Sequence, residues 1–211
     1  MKALKNTLFV CAVGLVVVTL IGCSKRVMVP PRIDLQTYRA IGMIEFDSNA
    51  EDGLQQFVSQ KFVETLQSSQ PGIRILDLGS EEKVLEEIQH QRFDYQAIRA
   101  VGERYGVDAV IIGNLEVTDI KPKVDVSTLL MSMSARADVE AALTARLFDA
   151  VSGATIWTNS ARGKQTVAQL GLTSKGPIYF DASDPDNAYG KLIGGLVYRT
   201  THDFRVQYVR Q

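Results

Sequence analysis

Cysteine thiolate is the strongest soft nucleophile among the side chains, and this chain carries two, Cys11 and Cys23. Cys11 lies within an apolar run, while Cys23 follows Gly22 at the end of that run. The two histidines, His90 and His202, have no second ligand at metal spacing and are read as solvated or capping groups. Glu81, Glu82, Glu86 and Glu87 have helix-face spacing, which predicts solvated charge rather than a catalytic carboxylate pair. Asp181, Asp184 and Asp186 cluster near Pro185. Their spacing is not that of an EF-hand loop, and Asp184 before Pro185 suits a helix cap and first-turn pair. No G-x-S-x-G, P-loop or dinucleotide fingerprint occurs. The residues therefore assign no catalytic group, no metal and no cofactor. One chemical step is left, a modification of Cys23.

The surroundings of Cys23 specify that step. Met1–Asn6 carries Lys2 and Lys5, and Leu8–Ile21 is apolar apart from Gly14 and Thr19. A charged start followed by such a run is the layout of a secretory signal. The run falls short of the roughly 20 residues that span a bilayer as a helix. Leu20-Ile21-Gly22-Cys23 resembles the bacterial lipobox. That resemblance implies diacylglycerol on the Cys23 sulfur, cleavage before Cys23, and acylation of the new amine. Ser24, rather than aspartate, follows the cysteine, which resembles the sorting signal for the outer membrane. Expected on this reading are a cleaved signal peptide over 1–22, a lipidated tether over 23–37 and a periplasmic domain over 38–211. Lipidation makes the membrane relation one of anchoring rather than spanning.

Cleavage removes Cys11, so the mature chain has one cysteine, acylated, and forms no internal disulfide. It also removes Lys2 and Lys5, leaving 21 basic against 24 acidic residues. A mild acidic excess argues against nucleic acid as a partner. Residues 24–37 include Lys25, Arg26, Arg32 and Pro30-Pro31 and read as an extended tether. Its reach is about 50 Å at most, which keeps the domain near the bilayer.

The elements that follow alternate. Tyr38–Phe46 reads as a strand, and a helix opened by Ser48 or Asn49 carries Leu54, Phe57, Val58, Phe62 and Leu66 on one stripe. Ile73–Leu78 is a second strand. A helix then runs from Ser80 to about His90, facing inward with Val84, Leu85 and Ile88. Asp94 caps the next helix, which buries Ile98, Val101 and Tyr105 and is closed by Gly106. Val107–Val117 is apolar without a break over Ala109–Ile112, as in a strand covered on both faces. From Ala137 to Phe148 apolar and polar residues alternate, which predicts a half-buried antiparallel strand. A turn at Asp149–Gly153 leads to a return strand with Trp157, and a last helix with Tyr189, Leu192, Ile193, Leu196 and Val197 ends near Arg205. The fold class is α/β: one domain in which a parallel βαβααβ unit and an antiparallel hairpin form a mixed sheet. Helices, including the C-terminal one, pack on it.

Two stretches carry a wider resemblance. Ala100–Gly113 (AVGERYGVDAVIIG) resembles a helix-to-strand junction, and Arg146–Trp157 (RLFDAVSGATIW) a hairpin of the form R-L-x-D-x-x-[ST]-G-x-x-x-W. Both recur in a superfamily of envelope proteins. It includes the curli secretion lipoprotein, the lipoprotein activators of penicillin-binding proteins and the amino-terminal domain of the Tol-Pal β-propeller protein. The resemblance implies a compact α/β domain with a mixed sheet. It transfers no single function, since one fold hosts several.

Two features point to partners. Lys121–Arg136 contains Leu129, Leu130, Met131 and Met133, which either form an adaptable apolar contact surface or fold back, as an additional edge strand or onto the core. Gly190-x-x-x-Gly194-Gly195 permits close helix contact, read first as packing inside the fold and second as contact between subunits. Neither 118–138 nor 163–184 shows a clean lipid-facing stripe in sequence, so membrane hairpins are not expected. The function read from these residues is a non-enzymatic adaptor or assembly factor, lipid-anchored on the periplasmic side of the outer membrane and bound to a periplasmic protein. The alternative is a subunit of a homo-oligomeric, curli-type secretion assembly. An envelope hydrolase ranks third, for want of catalytic groups.

Overall fold

The computed structural model describes residues 26–50, 53–118, 121–127, 132–171 and 185–210. The lipobox, Leu20 to Cys23, lies outside them. Two compact units are present, one spanning residues 31–205 and the other formed by the two chain ends.

In the larger unit, β2 (Ile41–Ile44) pairs in parallel with β4 (Ile75–Gly79) on one side and β5 (Ala109–Val117) on the other. The short β3 (Asp47–Ser48) continues along β5. Just beyond it the Asn49 amide both donates to and accepts from the Val117 backbone, at 2.9 and 2.8 Å. A side chain thus adds one more ladder pair. The long β7 (Ser132–Asp149) is antiparallel to β5 and, further along, to β6 (Lys121–Ser127). It is also antiparallel to β8 (Thr155–Gly171). The sheet is mixed, as expected: parallel where α-helical crossovers connect strands, antiparallel where hairpins do.

Four helices pack on it. Helices α1 (Leu54–Ser69) and α4 (Pro185–Thr200) share one core with the inward residues of β5, β7 and β8. In it, Leu54, Val58, Phe62 and Leu66 meet Ile111, Leu115, Leu143 and Leu147, and Ile193, Leu196 and Val197 close the layer. On the other face, α2 (Glu81–Ile88) and α3 (Tyr95–Tyr105) cover Ile44, Leu78 and Val110. These helices are short, and Asn114, Glu116 and Arg146 on that face stay exposed. The alternation read in Ala137–Phe148 is therefore real: Val139, Ala141, Leu143, Ala145 and Leu147 are all buried.

Several boundaries differ from the expectation. Helix α1 begins at Leu54 after Gly53, which has φ +73°, rather than at Ser48 or Asn49: the Ser48 hydroxyl accepts from Ala50 N and the Asn49 amide pairs with β5. Ile112 is only half-buried, because its side of the sheet is the less covered one. Within the segment read as a tether, Leu35 is fully buried and a 3₁₀ turn spans Leu35–Thr37. Gln70, 3 % exposed, fixes it there. Its amide accepts from Leu35 N at 2.7 Å and donates to the carbonyls of Ile33 and Phe204 at 2.7 and 2.9 Å. Packed order thus starts before Tyr38. The last helix stops at Thr200, and a 3₁₀ turn, His202–Phe204, carries Phe204 onto Trp157 at 4.5 Å between ring centroids.

Within Lys121–Arg136 the described backbone is strand: β6 pairs with the start of β7. Leu129, Leu130 and Met131 lie outside the described residues, and Met133 pairs in register with Val126. The register is ordered by residue type: Val124 opposes Ala135 and Pro122 opposes Ala137, while Lys121 opposes Asp138 and Asp125 opposes Ser134.

The smaller unit is an antiparallel ribbon of β1 (Arg26–Val29) and β9 (Gln207–Arg210), with Met28 opposite Tyr208.

Candidate partner-binding groove

Strand β4 is five residues long, and among the described residues it pairs only with β2. Its outer edge carries backbone groups with no strand beside them, a template for an added strand. Short length and the charge of Asp77 protect it against indiscriminate pairing. Leu76 is 45 % exposed at this edge.

Beside the edge, α1 and the sheet leave a groove of about 480 Å³. Gln56, Gln60, Glu64 and Gln67 descend one side of α1 at spacings of three and four, the pitch of a helix face. Ile75 and Asp77 of β4, with Met43 and Glu45, form the other wall. Val63 also lines the groove. In sequence this valine faces away from the stripe of α1, and its place here accounts for that. The lining joins a few apolar side chains to amides and three carboxylates, Glu45, Glu64 and Asp77.

The polar groups at the groove have structural partners. Ser59 Oγ accepts from Phe46 N and donates to Gln55 O, both at 2.8 Å, which leaves its hydroxyl committed. Asp77 accepts from Gly79 N at 3.0 Å. Glu64 accepts from Gln60 and lies 3.2 Å from Lys61 Nζ. This arrangement can hold an extended chain through backbone pairing and attract basic side chains. It does not set a nucleophile beside a base.

The opposite face has a second cavity, about 370 Å³, lined by Asp47, Glu81, Glu116, Arg146 and the rings of Phe93 and Phe148. Burial, then the charges of Asp47 and Glu82, raise the Glu81 carboxyl above its ordinary value. Among the described residues no group of three His, Cys, Asp or Glu side chains is arranged to hold a metal.

The remaining residues singled out in the sequence are dispersed. His90 follows the end of α2 and its backbone N donates to Leu85 O at 3.0 Å. His202 stands in the second 3₁₀ turn with Nδ1 3.2 Å from Asp203. Glu87 accepts from the Tyr105 hydroxyl at 2.9 Å and lies 3.6 Å from Arg104, which ties α2 to α3. Asp181 and Asp184 fall outside the described residues, and Asp186 lies in the first turn of α4. Among the described residues, no side chain or neighbouring backbone comes within 4 Å of a Cβ placed at Gly194 or Gly195. The groove itself was not read from the sequence, because it exists only where α1 meets β4. The available signal was the row of glutamines on α1.

Among the described residues no helix is long and apolar enough to cross a membrane. Neither a family model nor a curated protein matches the chain. Solved structures that it is similar to include a PelC dodecamer from Paraburkholderia phytofirmans, with 14% identity and a TM-score of 0.46 over 87% of this chain and 99% of that one. They also include lipoprotein GNA1162 from Neisseria meningitidis, with 19% identity and a TM-score of 0.35 over 60% and 83% of the two chains. A third is the LpoB C-terminal domain from Escherichia coli, with 10% identity and a TM-score of 0.37 over 63% and 88%.

Proposed function

We propose that this chain is a lipid-anchored protein of the bacterial envelope, held through Cys23 on the periplasmic side of the outer membrane. There it acts as a non-enzymatic adaptor or assembly factor. Leu20–Cys23 at the end of the apolar run supports the anchor. The observation that carries the adaptor role is the open edge of β4 beside a carboxylate-lined groove. Strand addition gains affinity from main-chain hydrogen bonds and specificity from neighbouring pockets. The partner segment is accordingly extended and bears lysine or arginine. Leu129, Leu130, Met131 and Met133 are proposed as a second contact.

A photo-crosslinking residue at Gln67, with one at Val151 as control, tests the groove in intact envelopes. Adducts are expected from position 67 only. They should map to a basic segment of the partner and be lost with Glu64→Lys and Asp77→Lys together. Equal adducts at 67 and 151, or adducts indifferent to charge reversal, would refute the groove.

A second reading, a subunit of a curli-type export assembly, draws support from the β6–β7 register. Apolar residues oppose apolar ones and polar oppose polar there, the alternation that membrane strands need. The adaptor is preferred because the open β4 edge and its groove have no part in such a hairpin. Single-channel recordings on liposomes separate the two, with discrete openings favouring the export assembly.

A further inference from the structure

Two strands of four residues form a ribbon that water alone stabilises marginally at best. In the ribbon of β1 and β9, Met28 opposes Tyr208 and Arg26 opposes Arg210. Side chains alternate across a strand, so these four share one face. Met28 is 62% exposed and Tyr208 67%, while Val209 on the other face is 49% exposed. Arginines placed directly opposite each other repel. Nothing in water rewards that pairing, but a layer of phosphates does. The paired arginines mark the end of β1 nearest Cys23. Arg26 is three residues from the lipidated position, a span of about 11 Å at most.

We infer that the ribbon is a membrane foot, seated in the interface of a bilayer rich in anionic phospholipid. This rests on acylation of Cys23, which brings the ribbon to that surface. Met28 and Tyr208 enter at the boundary of head groups and acyl chains, where amphipathic rings settle. Arg26 and Arg210 reach phosphate oxygens with their guanidinium groups, while their stems stay on the apolar side. The foot adds a second attachment beside the lipid and fixes how the anchored end of the chain meets the membrane. A second copy of the ribbon fits less well, since pairing two ribbons brings four arginines together.

The test uses the mature, acylated chain in vesicles of phosphatidylethanolamine and phosphatidylglycerol, with phosphatidylcholine vesicles for comparison. Acylation consumes the Cys23 thiol, so Met28→Cys and, separately, Tyr208→Cys carry a single site for an environment-sensitive fluorophore. Val151→Cys, at a position 76% exposed in a turn, is the control. Expected are blue-shifted emission and quenching by brominated acyl chains at 28 and 208, none at 151, and a weaker signal on phosphatidylcholine. Arg26→Gln and Arg210→Gln should each shift the docked-to-free ratio about fivefold toward free. Dilution into excess lipid should leave the signal unchanged. Water-exposed probes at 28 and 208 on a protein whose mass shows the acyl groups would overturn the foot while the anchor stands. A signal lost on dilution would overturn it in favour of a second copy. An unmodified Cys23 would overturn the anchor and the foot with it.

Discussion

At the scale of single residues, two positions hold more of the fold than their size suggests. Gly153 closes the turn between β7 and β8 at φ +74°, where a side chain is strained. A Cβ there would also stand 2.3 Å from the Tyr95 carbonyl oxygen. Gly106 has a similar φ of +68° but opens on free space. Gly106→Ala should therefore cost about 1 kcal/mol, the left-handed penalty alone. Gly153→Ala should cost about 3 kcal/mol or more, because backbone cannot yield. Thermal melts of the two variants check this; equal shifts would mean that the turn moves away from α3. Gln70→Leu strips partners from Leu35 N and from the carbonyls of Ile33 and Phe204. Leaving three buried backbone groups unpaired should cost about 3 kcal/mol. For a protein of this size that is a fall in melting temperature of about 6–12 °C.

At the scale of elements, carboxylates cap the ends and turns. Asp94 accepts from Gln96 N and Ala97 N at the start of α3, Asp149 from Ser152, and Asp108 from Arg39 through three bonds. All three carboxyls lie below their ordinary value. The main causes are the Ala97 N–H for Asp94, the Ser152 hydroxyl for Asp149 and the Arg39 guanidinium for Asp108. A depressed carboxyl contributes stability that is complete above its unfolded value, about 3.9. That stability is lost as pH falls through the folded values. Denaturation midpoints should thus hold level above about pH 5 and fall below about pH 4. Asp108→Asn with Asp149→Asn should flatten that acid limb, and an unchanged limb in the double variant would assign it elsewhere. Strand β5 supplies the other test. Ile111 is fully buried between sheet and α1, whereas Ile112 lines the half-open face. Ile111→Asp should unfold the protein, since an unpaired buried carboxylate costs several kcal/mol. Ile112→Asp should cost about 1–2 kcal/mol. Chemical denaturation that ranks them the other way would reverse the two faces of β5.

At the scale of the whole molecule, the anchor comes first. If the proposed anchor holds, Cys23→Ala should abolish incorporation of a clickable fatty acid and leave the signal uncleaved. Label retained in the variant would remove the basis for placing the chain on a membrane. The proposed groove and the proposed foot lie in different units and are proposed for different partners, protein and lipid. Deleting the charge of either should leave the other readout unchanged.

The sequence by itself determined most of the elements of the larger unit, and it implies a covalent address at Cys23, which lies outside the described residues. Val139 to Leu147 reads as a half-buried strand, because a strand's two faces repeat with period two whatever its neighbours. Gly106 and Gly153 were legible for a related reason: left-handed φ is a local property of the backbone. At Gly113, by contrast, the ring of Phe46 occupies the space that a side chain would need. Contacts between distant segments were decided by tertiary structure alone. No local pattern says that Gln70 will hold Ile33, Leu35 and Phe204, that Asn49 will extend β5, or that Arg26 will face Arg210. Strand pairing depends on which edges are left once helices have covered the apolar faces. The β6–β7 register and the groove at β4 are consequences of that coverage, which a linear reading of charge and hydropathy does not contain.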